Sequence, residues 1–328
     1  VYIWPDAVLG AESGGKPARI KAIYNVGGNY ITTGSDLHKS IRAFDRVEFS
    51  VCHDYFLTPT ARHCDVVLPA TTYLERADIV FPGSNHLLYS HQVIDPVGQA
   101  RNDYEIFCDL ADLLGFGQEY SEGRDAGQWI ERFLEESEVS DTGEFQRTGI
   151  YTGADQERSG LCAFVSDPKS HPLDTPSGKI ELASRQYARF GFPEIPTWRG
   201  FGPTADHPLL LITPHARYRI NSQYANDPWF LDRERQELWM NPRDAEKRGL
   251  ENGQRVEVRS PEGRLRTTVR ITRDIMRGVV CLPAGMWPKL GPDGVDTAGA
   301  VNVLTSTVPT EPSRSSRTHS VAVEVGPA

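Results

Sequence analysis

Nothing in the 328 residues approaches the ~20 consecutive apolar residues of a membrane span, so no transmembrane helix is expected. C-x-x-C pairs are absent. The five cysteines, at 52, 64, 108, 162 and 281, show no zinc or iron–sulfur spacing and are read as small apolar residues in cores. Their odd number, without a disulfide framework, suits a reducing compartment. No G-x-G-x-x-G fingerprint occurs, which removes the main support for an NAD-dependent enzyme. Basic charge is scarce. With 35 Lys and Arg against 44 Asp and Glu, the net charge of −9 argues against nucleic acid as a partner. Internal repeats and low-complexity tracts are missing too. The first residue is Val1, not Met, and no signal peptide precedes it. The chain is therefore expected to be processed or truncated, with its targeting information upstream.

What is present reads as three consecutive segments. In residues 1–125, strand-like and helix-like patterns alternate. An apolar run at 20–26 ends at Gly27-Gly28-Asn29, and a helix is expected over 35–44 with Ser35 as N-cap. A second strand at 47–52 ends at His53-Asp54. A short helix at 58–63 starts through Pro59, and a third strand covers 65–69. Ile106, Phe107, Leu110, Leu113 and Leu114 form a helical stripe over 103–114, stopped by Gly115. This alternation predicts a parallel α/β sheet, whose ligands bind beyond the C-terminal ends of the strands.

Residues 126–206 read as a connecting region. It opens with a helical stripe of Trp129, Ile130, Phe133 and Leu134, then becomes rich in Pro, Gly and Ser, with a boundary expected within 195–206. Residues 207–328 are β-rich. Leu209, Leu210, Leu211 and Ile212 form a buried strand, and Asn241-Pro242 starts a helix closed by Arg248-Gly249. Val256 and Val258 alternate with charges, a turn at Pro261-Glu262-Gly263 follows, and further strands are expected over 265–271 and 279–282. Turns that return the chain this often predict a barrel.

Several groups of residues can carry chemistry. Gly27, Gly28 and Asn29 follow a strand, where glycine lets backbone N–H groups approach a phosphate or heterocycle; a tight turn is the competing reading. His53 and Asp54, with Thr58 and Thr60, follow the next strand. A histidine titrates near neutrality, but neighbours on a strand face opposite sides, so His53 and Asp54 are not expected to act as a dyad. Helix capping competes as the role of Thr58. Glu75 and Arg76 read as a surface ion pair of little energetic value.

The densest set follows the strand at 209–212: Thr213, His215, Arg217, Arg219, Asn221, Ser222 and Gln223. Arginine offers planar donors for pyrophosphate, and Asn, Ser and Gln can read amide edges. An extended loop would let residues 215, 217, 219, 221 and 223 converge; a polar surface loop competes. Asn302 and Thr305, within Gly299 to Thr305, complete the candidates, with a simple turn as the alternative for Asn302. Met286-Trp287 reads as core. No residue is assigned a catalytic or metal-ligating role.

The order of HPLLLITPHARYRINSQYAN (207–226), CDVVLPATTYLERADIV (64–80), Gly27-Gly28-Asn29 and GAVNVLT (299–305) closely resembles the C-terminal half of molybdopterin oxidoreductases of the dimethyl sulfoxide reductase family. The chain departs from it at Tyr30, where proline is typical. The resemblance implies a partial parallel α/β sheet domain followed by a C-terminal double-psi β-barrel that binds the molybdopterin dinucleotide. It implies two molybdopterin guanine dinucleotides around one Mo or W, with the cofactor performing two-electron oxygen-atom or hydrogen transfer. By the same resemblance Asp54 and the threonines lie near a guanosine, and Asn302 lies by the pterin.

The resemblance also implies parts that this sequence lacks: a cysteine cluster for an iron–sulfur centre, the segment with the Ser, Cys or selenocysteine metal ligand, and the first half of the α/β domain. The chain alone is thus expected to be inactive. Its expected partners are a missing N-terminal half or catalytic subunit and an iron–sulfur electron-transfer subunit, in the cytoplasm or periplasm of a prokaryote. Two other readings stay open: a non-redox tungsten or molybdenum relative (a hydratase or transhydroxylase), and a non-catalytic assembly module on the same scaffold.

Overall fold

The computed structural model describes residues 4–10, 12–13, 16–17, 19–83, 85–154, 160–197, 202–311 and 313–328, with backbone alone for 12–13 and 16–17. Contacts divide the chain into two compact units, residues 1–68 with 199–328, and residues 69–198. The segments 1–125, 126–206 and 207–328 follow motif order along the chain, whereas these units follow contacts.

In the first unit, strands β1 (Ala22–Val26) and β2 (Phe49–Asp54) pair in parallel, with Val26 opposite His53, and β3 (Val66–Pro69) is the third strand of their sheet. Between β1 and β2 run the helices Tyr30–Thr33 and Leu37–Arg46. The second helix starts one residue later than predicted. Its N-cap is Asp36, not Ser35, because the Asp36 carboxylate accepts from the Lys39 N–H at 2.9 Å. Asp36 holds an uncommon left-handed conformation at φ 54° while its own N–H reaches the Thr305 carbonyl at 2.9 Å. The predicted short helix at 58–63 is a 3-10 turn over Ala61–His63.

The remainder of this unit is a closed barrel of six strands: β4 (Leu209–Ile212), β5 (Glu237–Met240), β6 (Arg255–Arg259), β7 (Arg264–Ile271), β8 (Val279–Cys281) and β9 (Val321–Pro327). Around the barrel the order is β5-β7-β6-β9-β4-β8. Pairs β5–β7 and β8–β4 are parallel and the others antiparallel. Alternation drives closure: Val256, Val258, Leu265, Val269, Val323 and Leu238 turn inward with no measurable exposure. Each such side chain contributes ~1.5–3 kcal/mol of burial before entropy is counted. Ile31, Leu37 and Phe44 join the same core, so the helices between β1 and β2 pack into the barrel's hydrophobic cluster.

The second unit holds a three-stranded antiparallel sheet of Asp78–Val80, His86–Ser90 and Ile150–Thr152, with its core at Leu134, Val139 and Phe145. The helix Asp103–Leu114 ends at left-handed Gly115 as the sequence predicts; of its apolar stripe Ile106, Phe107 and Leu110 are half-buried, whereas Leu113, 85% exposed, and Leu114 are uncovered. Helix Ala126–Glu135 is opened by a capping box between Asp125 and Gln128. Glu75 is not in the expected surface ion pair. It is buried and accepts from Thr72 N–H (2.6 Å), Thr72 Oγ1 (2.8 Å) and Val97 N–H (2.7 Å), while Arg76 bonds Asp78 and the Thr71 carbonyl. These donors, the Thr72 N–H foremost, hold the Glu75 carboxyl below the usual range. Cysteine 162 also departs from expectation, being exposed, whereas Cys52 and Cys281 are buried. Among the described residues no helix is long and apolar enough to cross a membrane.

Candidate functional site

The loops after β1 and β2 lock together. Gly27 N–H donates to the His53 carbonyl at 2.9 Å, and Asn29 Oδ1 accepts from Thr60 through both N–H (3.3 Å) and Oγ1 (3.1 Å). Thr60 Oγ1 in turn accepts from Ile31 N–H at 3.0 Å. Gly28 needs its missing side chain, since a Cβ would lie 2.8 Å from Asn25 Oδ1 and 2.6 Å from the Tyr30 ring. His53 is fully buried and shares a 2.7 Å hydrogen bond with the Tyr24 hydroxyl. Asp54 serves its own turn, accepting from Tyr55 N–H, Phe56 N–H and Thr58 Oγ1. Thr58 Oγ1 accepts from Ala61 N–H at 3.2 Å, which is the capping role weighed for it. Gly27, Gly28, Asn29, His53, Asp54, Thr58 and Thr60 thus form one strand-end cluster.

A second group meets at a cavity of 330 Å³ in the same unit. Thr213, His215, Asn221, Asn302 and Thr305 line it, joined by Thr32, Thr33 and Gly34 from the first helix and by Ala284 and Gly285 after β8. Val301, Ser316, Thr318 and His319 complete the wall. Thr213 ties the wall together, its N–H donating to His319 Nδ1 at 3.3 Å and its hydroxyl to the Thr318 carbonyl at 2.8 Å. A backbone N–H can only donate, so His319 Nδ1 is the acceptor there and its proton sits on Nε2. Gly285, at φ 91°, approaches so closely that a Cβ would fall 1.6 Å from the Asn221 carbonyl oxygen.

The wall holds hydroxyls, amides, backbone and two imidazoles, with no Lys, Arg, Asp or Glu. Asn302 spends its amide N–H groups on the carbonyls of Ile31 (2.5 Å) and Gly34 (3.1 Å), while its buried Oδ1 finds no partner among the described residues. The buried Thr32 hydroxyl is unpartnered as well. Buried polar atoms in this state are costly unless a ligand completes them. A neutral heterocycle with mixed donors and acceptors, such as a pterin, fits that donor set better than a multiply charged ion.

The alternating convergence of 215, 217, 219, 221 and 223 does not form, because the chain after β4 turns instead of extending. Arg217 is exposed, and its guanidinium sits over the Tyr218 ring at 5.6 Å. Arg219 is buried, 2% exposed, and reaches Gln236 Oε1 at 2.7 Å. Burial pushes its guanidinium below the ordinary value, with Glu234 opposing. Ser222 is buried and its carbonyl accepts from Trp287 Nε1 at 2.8 Å, and Gln223 is exposed. None of these four is in the cavity wall. Sequence reasoning missed Thr32 to Gly34 and Ser316. A Thr-Thr-Gly turn carries no chemical signature until the Asn302 amide is seen holding it.

Asp296, also missed, is fully buried and accepts from the N–H groups of Lys289, Ala298, Gly299 and Ala300 at 2.6–3.2 Å. It shapes the approach to Asn302. Burial pushes its carboxyl up, with those N–H groups opposing. Among the described residues no group of three or more His, Cys, Asp or Glu is placed to hold a metal ion.

A cavity lined without Lys, Arg, Asp or Glu, at a six-stranded barrel and in one unit with paired strand-end loops, offers the mixed donors and acceptors that a heterocycle would need. The family models described as "Molybdopterin oxidoreductase" and "Molydopterin dinucleotide binding domain" match residues 7–113 and 209–322. The chain belongs to the dimethyl sulfoxide reductase family of molybdopterin oxidoreductases. It is 33% identical over 323 residues to the dimethyl sulfoxide/trimethylamine N-oxide reductase of Rhodobacter capsulatus, covering 89% of this chain and 39% of that protein. It is 31% identical to dimethyl sulfoxide reductase DmsA of Escherichia coli, covering 98% of this chain and 43% of that one. The chain therefore spans less than half the length of these relatives. In fold it is similar to the acetylene hydratase of Pelobacter acetylenicus, with a TM-score of 0.79 at 22% identity over 99% of this chain and 46% of that one.

Proposed function

We propose that this chain is the cofactor-binding C-terminal portion of a molybdenum or tungsten oxidoreductase that carries two pterin guanine dinucleotides. The observation that carries this reading is the neutral cavity with unpartnered Asn302 Oδ1 and Thr32 Oγ1. When bound, the cofactor would supply two-electron oxygen-atom or hydrogen transfer. The residues of this chain bind and orient. Asn302 Oδ1 and the Thr32 hydroxyl would hold the heterocycle's donors, and Thr213, His215, Asn221 and Thr305 would enclose it. The strand-end cluster from Gly27 to Thr60 lies near the guanosine, with Asp54 holding its loop. Arg217, Ser222 and Gln223, in the loop after β4, would serve the nucleotide, and Arg219 would hold that loop through Gln236.

On this reading the barrel is of the double-psi type, and its mixture of parallel and antiparallel pairs supports that assignment. The metal ligand and any iron–sulfur cluster belong to the remaining part of a relative-length protein or to a partner subunit, working in the cytoplasm or periplasm of a prokaryote. The reductases similar in sequence favour this over a hydratase, whose likeness here is one of fold.

Anaerobic native mass spectrometry on the assembly from its source, with metal analysis, tests the reading. Pterin dinucleotide together with Mo or W is the expected result. An intact assembly carrying neither would overturn it.

A further inference from the structure

Outside the cavity wall, one side chain touches three of the loops that form it. Gln236 enters β5, and its backbone carbonyl accepts from the Thr267 hydroxyl at 2.8 Å, which ties it to β7. Its carboxamide nitrogen donates to the Pro283 carbonyl at 2.6 Å and to the Gly299 carbonyl at 2.9 Å. Its Oε1 accepts from Arg219 Nη2 at 2.7 Å. Pro283 immediately precedes Ala284 and Gly285, Gly299 comes just before Val301 and Asn302, and Arg219 precedes Asn221. Each anchor point is within three residues of the wall.

We propose that Gln236 is the positioning residue of this cavity, holding its three loops in register through one carboxamide; the inference rests on the cofactor reading above. The chemistry singles out glutamine. The group must donate twice and accept once, in a plane, from a stem of fixed length. Glutamate has the same shape but no N–H, and it would face two carbonyl oxygens. Lysine or arginine would donate but would repel Arg219. Asparagine is one methylene too short. The fit is close: at Gly299, with φ 86°, a Cβ would lie 2.7 Å from Gln236 Cγ.

Arg219 raises the stakes, because its Nε and Nη1 have no hydrogen-bond partner among the described residues and Gln236 takes the remaining nitrogen. Nearby Glu234 is engaged with the backbone, accepting from Arg217 N–H at 3.0 Å and Tyr218 N–H at 3.1 Å. Residues 234 and 236 thus brace successive parts of the 217–221 loop from one short stretch of chain.

The test uses the full chain as purified with its cofactor, in two variants. Gln236→Leu removes every contact and leaves a buried cation bare, so it can fail to fold. Gln236→Glu keeps an acceptor for Arg219 and loses both donors. For Gln236→Glu, amide exchange in peptides covering 282–287 and 299–305 should rise at least tenfold, with β4 and β9 exchanging as in the parent. Pterin per chain, read by fluorescence after oxidation, should fall at least tenfold. Unchanged exchange in those two loops would overturn the proposal. So would a rise shared equally by the strands, or loosened loops with parental pterin content. A parent that carries no pterin would defeat the cofactor reading alone, and the exchange data would still decide the role of Gln236.

Discussion

In the unit built from residues 1–68 and 199–328, Asn29 Nδ2, Thr32 Oγ1, Arg219 Nε and Nη1, and Asn302 Oδ1 are all buried without hydrogen-bond partners. Among the described residues of the 69–198 unit, no buried side-chain atom is in that state. There the charges pair locally at the surface, as in Arg101–Asp109 at 2.6 Å and Arg132–Glu136 at 2.8 Å, and Glu75 is satisfied by Thr72 and by the Val97 N–H. The two units also differ in their cores, a closed barrel interior against a cluster centred on Leu134, Val139 and Phe145. Large cores can carry incomplete polar atoms, because the burial around them offsets the cost. The difference teaches where to look for a ligand: in the unit whose polar accounting is unfinished.

Four experiments would break or sharpen this contrast. The largest effect is expected from Gly285→Ala, which forces a Cβ against the Asn221 carbonyl oxygen and strains a residue at φ 91°. A loss of about 3 kcal/mol or more should appear in urea unfolding. Parental stability would mean that the 219–222 loop gives way and that the cavity wall is soft.

Leucine truncation compares the cores directly. Leu238→Ala, at a fully buried barrel position, should cost ~3–4 kcal/mol, and Leu134→Ala, 3% exposed in the smaller cluster, about 2 kcal/mol. Hydrogen exchange resolved by unit would read both. Equal losses would remove the contrast in packing.

Thr32→Val keeps the shape and deletes a hydroxyl without a hydrogen-bond partner among the described residues. The cofactor-free chain should gain up to ~1 kcal/mol while pterin affinity drops about tenfold. Calorimetry and pterin content should therefore move in opposite directions. Movement in the same direction would show that the hydroxyl has an internal role.

The smallest effect concerns acid. Because the Glu75 carboxyl is held below its usual value, its contribution to folding is present above about pH 4.5 and is lost as pH falls through its folded value. Exchange in the 72–97 region should rise in that acid window for the parent. In Glu75→Gln it should be raised already at neutral pH and stay flat. A parental acid response in the variant would assign the effect to another carboxylate.

Much of the architecture was legible from local patterns. A continuous apolar run marked β4, alternation marked β6, the turn after β6 marked β7 to within a residue, Gly115 stopped its helix, and Asn241-Pro242 opened another, since these signals depend on neighbours in the chain. The loops from Gly27 and from His53, each read from sequence as following a strand, meet in the structure because parallel strands bring their C-terminal ends side by side. The loop after β4 misled. Its density of polar side chains was visible, but their directions were not, and Arg219 turned inward to Gln236 while Arg217 turned outward.

Sequence alone determined β4, β6, β7, the helices ended by Gly115 and opened by Asn241-Pro242, the inward face of β6 and the family, because periodicity, caps and ordered motifs are written locally. Only the tertiary structure decided that Thr32, Gly285 and Asn302 share one wall, that Asp296 gathers four N–H groups, and that Gln236 spans three loops. Those relations join residues up to 271 positions apart, as Asn302 and Ile31 show. They exist only once barrel closure has met the entropic cost of bringing distant chain together.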